Sequence, residues 1–455
     1  MSASPGSRVA PDRPPGEWFL RRLLKENVVL LLVAMLVVIP LLGPLTSGIA
    51  GRALRNGLFE SIAVLLLAVL LARVQIQGGL SGFFYLLRTG VNAPLVAFLL
   101  WAALGALRAP DRAFAVADLL RLGTGALVYY AVALHVESRA QLCLLLDCLL
   151  GLVLLVTGYG LLVHGIESVE GLGIWSIFPS RHHLSAILAV LFPLLGVMAL
   201  RVREMGRRLA SITAAVWCAI GLVICLERSA WIAVAVGVAV GLLLWLRVAR
   251  SAALRGAWRP AMAVGVTLLL VAFVFFYSSG VNAVVVPRAR EISTALQGRD
   301  TSFSWRVQKW RGAAAMARRR PIWGWGPGQF VLQQSRFTHL GLSRDDVRHL
   351  GASFDEMAYN DYLQTAAELG FPGLLLYLLV LASFFSKAGR ALPRLPVGLR
   401  QTILIGCMGG VAAQMVDALA NGSWRFMECS IYFWLVLGLG VSVSRMAYQK
   451  GEELS

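Results

Sequence analysis

The chain has 455 residues, of which 58% are hydrophobic and only 15% are charged, and its mean hydropathy is +0.71. Soluble domains carry about 25% charged residues, so this composition excludes an ordinary soluble protein and indicates a polytopic membrane protein. The net charge of +18 would suggest nucleic-acid binding in a soluble protein. Here much of that charge lies in short loops between apolar segments, where the positive-inside rule accounts for it, and we expect no nucleic-acid partner.

The six cysteines carry no functional signal. Five lie within apolar runs and Cys429 lies at the edge of one, and none has the spacing with histidines that a metal site requires. We therefore expect neither a disulfide framework nor a metal, and no cofactor.

Apolar runs of bilayer length follow one another along most of the chain. Residues 1–27 are rich in Pro, Ser and Gly and end in basic residues, which predicts a disordered, basic N-terminus. The run after Val28 is too long for a signal peptide, so we interpret it as a retained membrane helix. A bilayer-spanning helix needs about 20 apolar residues. By that measure twelve spans are predicted, near residues 28–49, 57–74, 92–107, 114–135, 141–164, 183–200, 209–226, 230–246, 261–279, 369–386, 401–420 and 430–446.

The basic short loops predict the orientation. Loops 201–208, 247–260 and 387–400 are rich in Lys and Arg and fall on one side when twelve spans are counted, together with both termini. The positive-inside rule makes that side cytoplasmic. The predicted organisation is listed in chain order: a cytoplasmic segment 1–27, nine membrane helices in 28–278, a large periplasmic loop 279–369, three membrane helices in 370–446 and a cytoplasmic tail 447–455. We expect a bacterial inner-membrane protein.

The predicted outer loop is itself basic, with twelve Lys and Arg against eight acids. Because positive charge outside opposes the topology rule, we interpret it as kept for an anionic ligand, such as phosphate or an acidic glycan. Attraction to anionic lipid headgroups is the alternative.

Residues 304–319 have the spacing of an amphipathic helix. Trp305 and Trp310 fall largely on one stripe, whereas Arg306 and Arg311 project elsewhere. We predict a helix that lies at the membrane interface, with the tryptophans towards lipid and the arginines towards phosphate.

Arginines at two other outer edges are candidates for phosphate binding, because a guanidinium donates two parallel, charge-assisted hydrogen bonds. Arg228 lies in CLERSAWIAV between two predicted spans, where a surface turn with Glu227 is the alternative. FPSRHHLS brings Arg181, His182 and His183 to the start of the sixth span. A histidine there is a candidate base or sugar-binding group, and a purely interfacial role is the alternative.

The segment AYNDYLQ carries the remaining candidates. Tyr359, Asn360 and Asp361 are predicted to lie near the start of a second loop helix, from Asp355 to about residue 369, with Glu356 a turn before them. A carboxylate beside an arginine-lined pocket is suited to accept a proton from a sugar hydroxyl. Complementing the helix dipole is the alternative role for these acids. The sequence contains no nucleotide-binding or serine-hydrolase motif.

Three blocks of the chain resemble the O-antigen ligase and polymerase superfamily of bacterial envelopes. LERSAWIAV at 226–234 resembles the family's Ser-Arg-Gly-Ala-Trp-like block, and residues 305–330 resemble its Arg-Trp helix followed by Pro-Leu-x-Gly-x-Gly-Pro-Gly-x-Phe. YNDYLQTAAELGFPG at 359–373 resembles its His-Asn-Asp-Tyr-Leu-Gln block with a downstream Gly. The resemblance implies an all-α polytopic membrane fold of the GT-C-like type, with about twelve transmembrane helices and one large extracytoplasmic helical loop.

The resemblance also implies a metal-independent membrane glycosyltransferase. Its donor would be a glycan on undecaprenyl pyrophosphate, and its acceptor would be lipid A-core for a ligase or another lipid-linked repeat unit for a polymerase. By the matching positions Arg228 and Arg306 would hold the donor pyrophosphate and stabilise the leaving phosphate. Membrane lipids and a chain-length regulator are further candidate partners. The full set of candidate site residues comprises Glu356, Tyr359 and Asp361 for catalysis, and Arg181, His183, Arg228, Arg306, Trp310, Arg311 and Asn360 for binding pyrophosphate or glycan.

One position departs from the family pattern. The ligase members carry His where this chain has Tyr359, and a tyrosine of pKa about 10 is a poor base at neutral pH. Either the acceptor proton goes to another group, such as Glu356, Asp361 or His349, or the family's histidine is only positional. This departure favours a polymerase of O-antigen or exopolysaccharide repeats over a ligase.

Two other function classes stay open on the sequence. A solute or anion carrier would need ionisable groups near the bilayer midplane, and Asp417 with Asn421 is the best such pair. A non-catalytic scaffold within a polysaccharide assembly complex would tolerate loss of the arginines named above.

Overall fold

The computed structural model describes residues 28–38, 48–76, 91–164, 176–178, 180–248, 301–337 and 357–452. The secondary structure in these ranges is helical, with no strand among them. The helices are α1 (Val28–Val37), α2 (Gly48–Ile76), α3 (Asn92–Leu107), α4 (Arg112–His135), α5 (Arg139–His164), α6 (Arg181–Arg201), α7 (Met205–Ile224), α8 (Arg228–Val248), α9 (Thr301–Arg319), α10 (Phe330–Gln333), α11 (Asp361–Ala391), α12 (Leu399–Asp417) and α13 (Met427–Glu452).

Seven of the described helices are long and apolar enough to cross a membrane: α4 to α8, α11 and α13. Helices α1, α2 and α3 contain shorter apolar stretches at predicted spans, and α12 coincides with the span predicted near 401–420. The span predicted near 261–279 and parts of the predicted outer loop lie outside the described residues. The chain is thus an all-helical, multi-pass membrane protein, and the count of twelve spans stays a prediction.

Small residues let the central helices approach closely. A Cβ atom added to Gly237 of α8 would lie 2.6 Å from the carbonyl oxygen of Gly409 in α12, and one added to Gly125 of α4 would lie 2.2 Å from Trp434 Nε1 in α13. Lipid offers no hydrophobic drive for helix pairing, so membrane helices pair through such close packing. Helix α13 is almost wholly enclosed by its neighbours, whereas α8 exposes most of its apolar surface.

The two ends of the bundle differ in chemistry. At one end, Arg201 at the end of α6 donates to Gln401 at 2.6 Å, and Arg394 donates to Tyr448 Oη at 3.3 Å. At the other end, α6, α8, α11 and α13 begin and α12 ends. We call this second end the site end.

Helix α9 and the Gly-Pro loop that follows it (residues 321–329) pack on α11 at the site end. Helix α11 is bent at Gly370, which has φ 72° and ψ 179°. The loop uses the backbone groups freed by the bend: Gly326 N donates to Glu368 O at 2.8 Å, and Phe371 N donates to Pro321 O at 2.7 Å. Gly324 has φ 64° and lies against the Glu368 carbonyl, where a side chain would not fit.

Two details of the predicted outer loop need correction. The second loop helix begins at Asp361 and not at Asp355, since residues 357–360 are not helical and Tyr359 has a left-handed φ of 53°. The tryptophans of α9 were expected to face lipid. Instead the Trp305 ring lies 5.1 Å from the Tyr359 ring, and Trp310 Nε1 donates to Tyr359 O at 3.1 Å.

Candidate functional site

Glu227 lies at the centre of a cluster of basic side chains at the site end. Its carboxylate is 2.6 Å from Arg181 Nε, 3.0 Å from His182 Nδ1 and 4.0 Å from Arg306 Nη2. These groups come from three separate parts of the chain: the start of α6, the turn between α7 and α8, and α9. We call Glu227, Arg181, His182 and Arg306 the Glu227 cluster.

The Glu227 carboxylate is buried behind the two arginines and the histidine that contact it. The Glu227 side chain is only 4% exposed, whereas those of His182, Arg306 and Arg181 are 12%, 17% and 22% exposed. Arg228, which follows directly and begins α8, is half-buried. The opening of the cluster therefore presents positive charge.

The pKa of Glu227 reflects this surrounding. Burial by itself would raise the pKa, but His182, Arg181 and Arg306 together lower it to about 2. The carboxylate therefore stays ionised at any physiological pH, and it keeps the neighbouring cations in place.

A second contact anchors Arg306, whose Nη1 donates to Ala420 O at 2.9 Å, just beyond the end of α12. The same guanidinium lies 5.2 Å from the Tyr359 ring centroid. Lys309, one turn along α9, is almost wholly buried, with its amine 4.6 Å from the Trp305 ring. Cation–π contacts of this kind orient cationic side chains.

Tyr359 fills the space between α9 and the Glu227 cluster. Its ring lies 6.0 Å from His182 and 5.1 Å from Trp305, and it is 7% exposed. A non-glycine residue at positive φ is strained and persists only where the surroundings hold it. Here Trp310 Nε1 donates a hydrogen bond to the Tyr359 carbonyl, and the next residue, Asn360, caps α11. These contacts hold the Tyr359 ring facing the cluster.

The other predicted residues lie apart from this cluster. His183 is turned into the bundle, with its Nδ1 2.6 Å from Ser180 Oγ and its ring 3.9 Å from Phe426. Asn360 caps α11: its Oδ1 accepts from Leu363 N at 2.9 Å. Arg311 is exposed on α9.

Two of the acids considered in the sequence do not belong to the Glu227 cluster as described. Glu356 lies outside the described residues, as does His349. Asp361 is wholly buried, and its Oδ1 lies 4.0 Å from Arg425 Nε.

Arg425 is the centre of a separate, fully buried charge network beneath the site. It forms an ion pair with Glu368, lies 3.4 Å from Asp118 and donates to Thr365 Oγ1 at 3.0 Å. Arg121 pairs with Asp118 one turn along α4. Because Glu368 Oε1 also accepts from Phe330 N at 3.1 Å, the network ties the segment after the Gly-Pro loop to α4 and α11.

Sequence reasoning did not select Glu227 or Arg425 as site residues, and it named His182 beside His183 but kept only His183 in the final set. The sequence does indicate Asp118 and Arg121, because two opposite charges at i, i+3 within an apolar helix are expected to lie inside the bundle and to have a role there. No comparable signal separated His182 from His183, since adjacent residues at a helix start differ only in the direction that the fold gives them.

The cluster has the composition of an anion site. Two guanidiniums and a histidine surround one carboxylate, and Arg228 adds a further positive charge beside it. Guanidiniums bind phosphate oxygens through paired hydrogen bonds, and their strength rises where water is excluded. The fold and the site together define a multi-pass membrane protein with a cation-rich site at one end of its helix bundle.

The family described as O-antigen ligase has a model that matches residues 213–378. This match supports the resemblance seen in the sequence: residues 213–378 are similar to the O-antigen ligase and polymerase superfamily, whose members are membrane glycosyltransferases acting on lipid-linked glycans. The matched range contains Glu227 and Arg306, whereas Arg181 and His182 precede it. No curated protein matches the chain.

Proposed function

We propose that this protein polymerises glycan repeat units carried on undecaprenyl pyrophosphate, at the outer face of the bacterial inner membrane. The donor is the growing chain on its lipid pyrophosphate, and the acceptor is a hydroxyl of another lipid-linked repeat unit. The observation that carries the proposal is the Glu227 cluster, in which Arg181 and Arg306 are held by one carboxylate and remain partly exposed.

The charge of the two bundle ends supports this orientation. The end opposite the site carries Arg201, Arg207 and Arg394, with further basic residues in its short loops. The positive-inside rule makes that end cytoplasmic. The site end then faces outwards, with the N- and C-termini inside.

In the proposed mechanism, the arginines of the cluster bind the pyrophosphate of the donor. The acceptor oxygen attacks the anomeric carbon, and the bond from that carbon to the pyrophosphate oxygen breaks. Negative charge grows on the leaving phosphate, where preorganised guanidiniums stabilise it without having to reorient. A single displacement of this kind inverts the anomeric centre.

A ligase is the second candidate, and the description of the matching family favours it. A ligase would use the same cation cluster for its donor, with lipid A-core as acceptor. Tyr359 stands where ligases carry histidine, which is why the polymerase is our first choice.

A carrier is less well supported by the geometry. Asp417 is the last residue of α12 and Asn421 follows it, so both lie at the site end. A carrier's ion-coupling groups are expected near the bilayer midplane.

The test compares Arg306→Ala with Arg319→Ala, which removes an exposed arginine from the last turn of the same helix. Purified variants in lipid are given a lipid-linked repeat unit, and the polymer ladder is measured after size-exclusion chromatography has matched the folded fractions. We expect Arg306→Ala to lower the rate about 100-fold or more and Arg319→Ala to leave it unchanged. Equal rates in the wild type and Arg306→Ala would contradict the proposal.

A deletion strain separates the polymerase from the ligase. If the protein is a polymerase, single repeat units remain attached to lipid A-core, or secreted polymer alone is lost. Accumulation of lipid-linked polymer with no attached repeats would instead identify a ligase.

A further inference from the structure

We propose that His182, held by Glu227, accepts the proton of the attacking acceptor hydroxyl. This inference rests on the glycosyl transfer proposed above and names the residue that performs its proton transfer. The sequence suggested a histidine of this segment as a base without choosing between His182 and His183, and it gave no link to Glu227; His182 precedes the range matched by the family model.

The first argument is the arrangement of the imidazole. His182 Nδ1 lies 3.0 Å from Glu227 Oε2, and a carboxylate at this distance favours the tautomer that carries its hydrogen on Nδ1. Nε2 then carries the lone pair and is available to a substrate. A buried carboxylate in this position fixes the tautomer and stabilises the imidazolium that forms when a proton is taken up, which is the logic of the catalytic triad.

The second argument is position. The His182 ring lies 6.0 Å from Tyr359, the residue that replaces the family's histidine, and it shares Glu227 with both arginines proposed to bind pyrophosphate. A base at this place lies beside the arginines proposed to bind the pyrophosphate that leaves. The side chain is also 12% exposed, so a hydroxyl has access to it.

The other described groups are less suited to the role. Asp361 is wholly buried and lies beside Arg425. Glu227 is buried behind Arg181, His182 and Arg306, and its pKa of about 2 makes it a weak base. His183 is turned away against Phe426.

The proposed step balances in atoms and charge. The acceptor O–H bond breaks as its oxygen bonds to the anomeric carbon, and the proton passes to His182 Nε2. The bond between the anomeric carbon and the pyrophosphate oxygen breaks with its electron pair, leaving undecaprenyl pyrophosphate. The imidazolium later returns its proton to water.

Charged and titratable groups surround His182 from several parts of the fold. Glu227 and Arg181 lie beside it from the α7–α8 turn and α6, Arg306 faces the same carboxylate from α9, Tyr359 contacts the ring, and Asp417 approaches from α12. Only the neutral imidazole can accept a proton from the acceptor hydroxyl.

The test uses the full-length protein in lipid and two readouts: glycan transfer, and binding of undecaprenyl pyrophosphate alone. The main variant is His182→Asn, because the asparagine amide still donates to Glu227 but provides no base. We expect transfer to fall about 100-fold or more, with undecaprenyl pyrophosphate binding within twofold of wild type.

Two rescues distinguish a base from a structural residue. Added imidazole should restore transfer to His182→Ala, and Tyr359→His should restore part of the activity of His182→Asn, because the new histidine lies beside the vacated position. Wild-type transfer by His182→Asn, or loss of lipid binding in parallel with loss of transfer, would overturn the role of His182. If the wild-type protein neither binds undecaprenyl pyrophosphate nor transfers glycan, the proposed function itself is wrong.

Discussion

Arg425 and Glu368 form an ion pair in the interior of the bundle, where the two side chains are only 3% and 1% exposed. Arg425 belongs to the turn between α12 and α13, and Glu368 lies just before the bend in α11. The pair therefore joins the last part of the chain to the helix on which α9 and the Gly-Pro loop pack.

Removing one partner of this pair is expected to be strongly destabilising. Glu368→Leu leaves the Arg425 guanidinium with weaker compensation and also removes the acceptor of Phe330 N. We expect a loss of about 3–5 kcal/mol in the free energy of unfolding. Chemical denaturation in detergent measures it. The control is Glu204→Ala, which breaks an exposed pair with Arg207 and should cost less than about 1 kcal/mol. A similar small loss in both variants would contradict the role assigned to the network.

Gly324→Ala should displace the Gly-Pro loop from α11. The glycine has φ 64°, and an added Cβ would lie 2.2 Å from the Glu368 carbonyl oxygen. The backbone strain alone is expected to cost about 1–3 kcal/mol. Gly389→Ala is the matched control, because that glycine is exposed in α11 with nothing within 4 Å, and alanine there should stabilise the helix by about 0.5–1 kcal/mol. Thermal unfolding curves should show a lower midpoint temperature for Gly324→Ala and a higher one for Gly389→Ala than for the wild type.

Glu227 should make the protein sensitive to acid in a defined range. Its pKa is about 2 in the folded protein and ordinarily 4.5, so its contribution to stability is complete above about pH 4.5 and is lost as pH falls towards 2. The difference corresponds to a contribution on the order of 3 kcal/mol. Unfolding measured from pH 7 to pH 3 should therefore show a steeper loss for the wild type than for Glu227→Gln. Parallel curves would show that the cluster does not hold this carboxylate ionised.

The ring of Tyr359 is expected to matter more than its hydroxyl. The contacts with His182, Trp305 and Arg306 are made by the ring face and edge. Tyr359→Phe should retain most of the transfer activity, whereas Tyr359→Ala should lose it as the contacts between α9 and the cluster are removed. Polymer ladders from matched amounts of folded protein decide this, and a large loss in Tyr359→Phe would give the phenol a direct chemical role.

The positions of the helices could be predicted from the sequence because apolar length is a local property. Arg181 and Arg306 could be named as well, since arginines at outer membrane edges are unusual enough to indicate a ligand. Their meeting on Glu227 could not be predicted, because it depends on how the start of α6, the α7–α8 turn and α9 pack together. The role of Arg425 could not be predicted for the same reason, because its partners Asp118 and Glu368 are far away in sequence.

The contacts of α9 and of the Gly-Pro loop with later parts of the chain have a consequence for the order in which the site is completed during synthesis. Arg181 and Glu227 leave the ribosome close together, but Arg306 is anchored by Ala420, and the Gly-Pro loop is held by the carbonyl of Glu368. Helix α9 therefore cannot take its final place until α11 and the end of α12 have been synthesised. A chain that stops before α12 would carry every arginine of the Glu227 cluster and still lack Ala420, which anchors Arg306, so the cluster is complete only when translation is nearly finished.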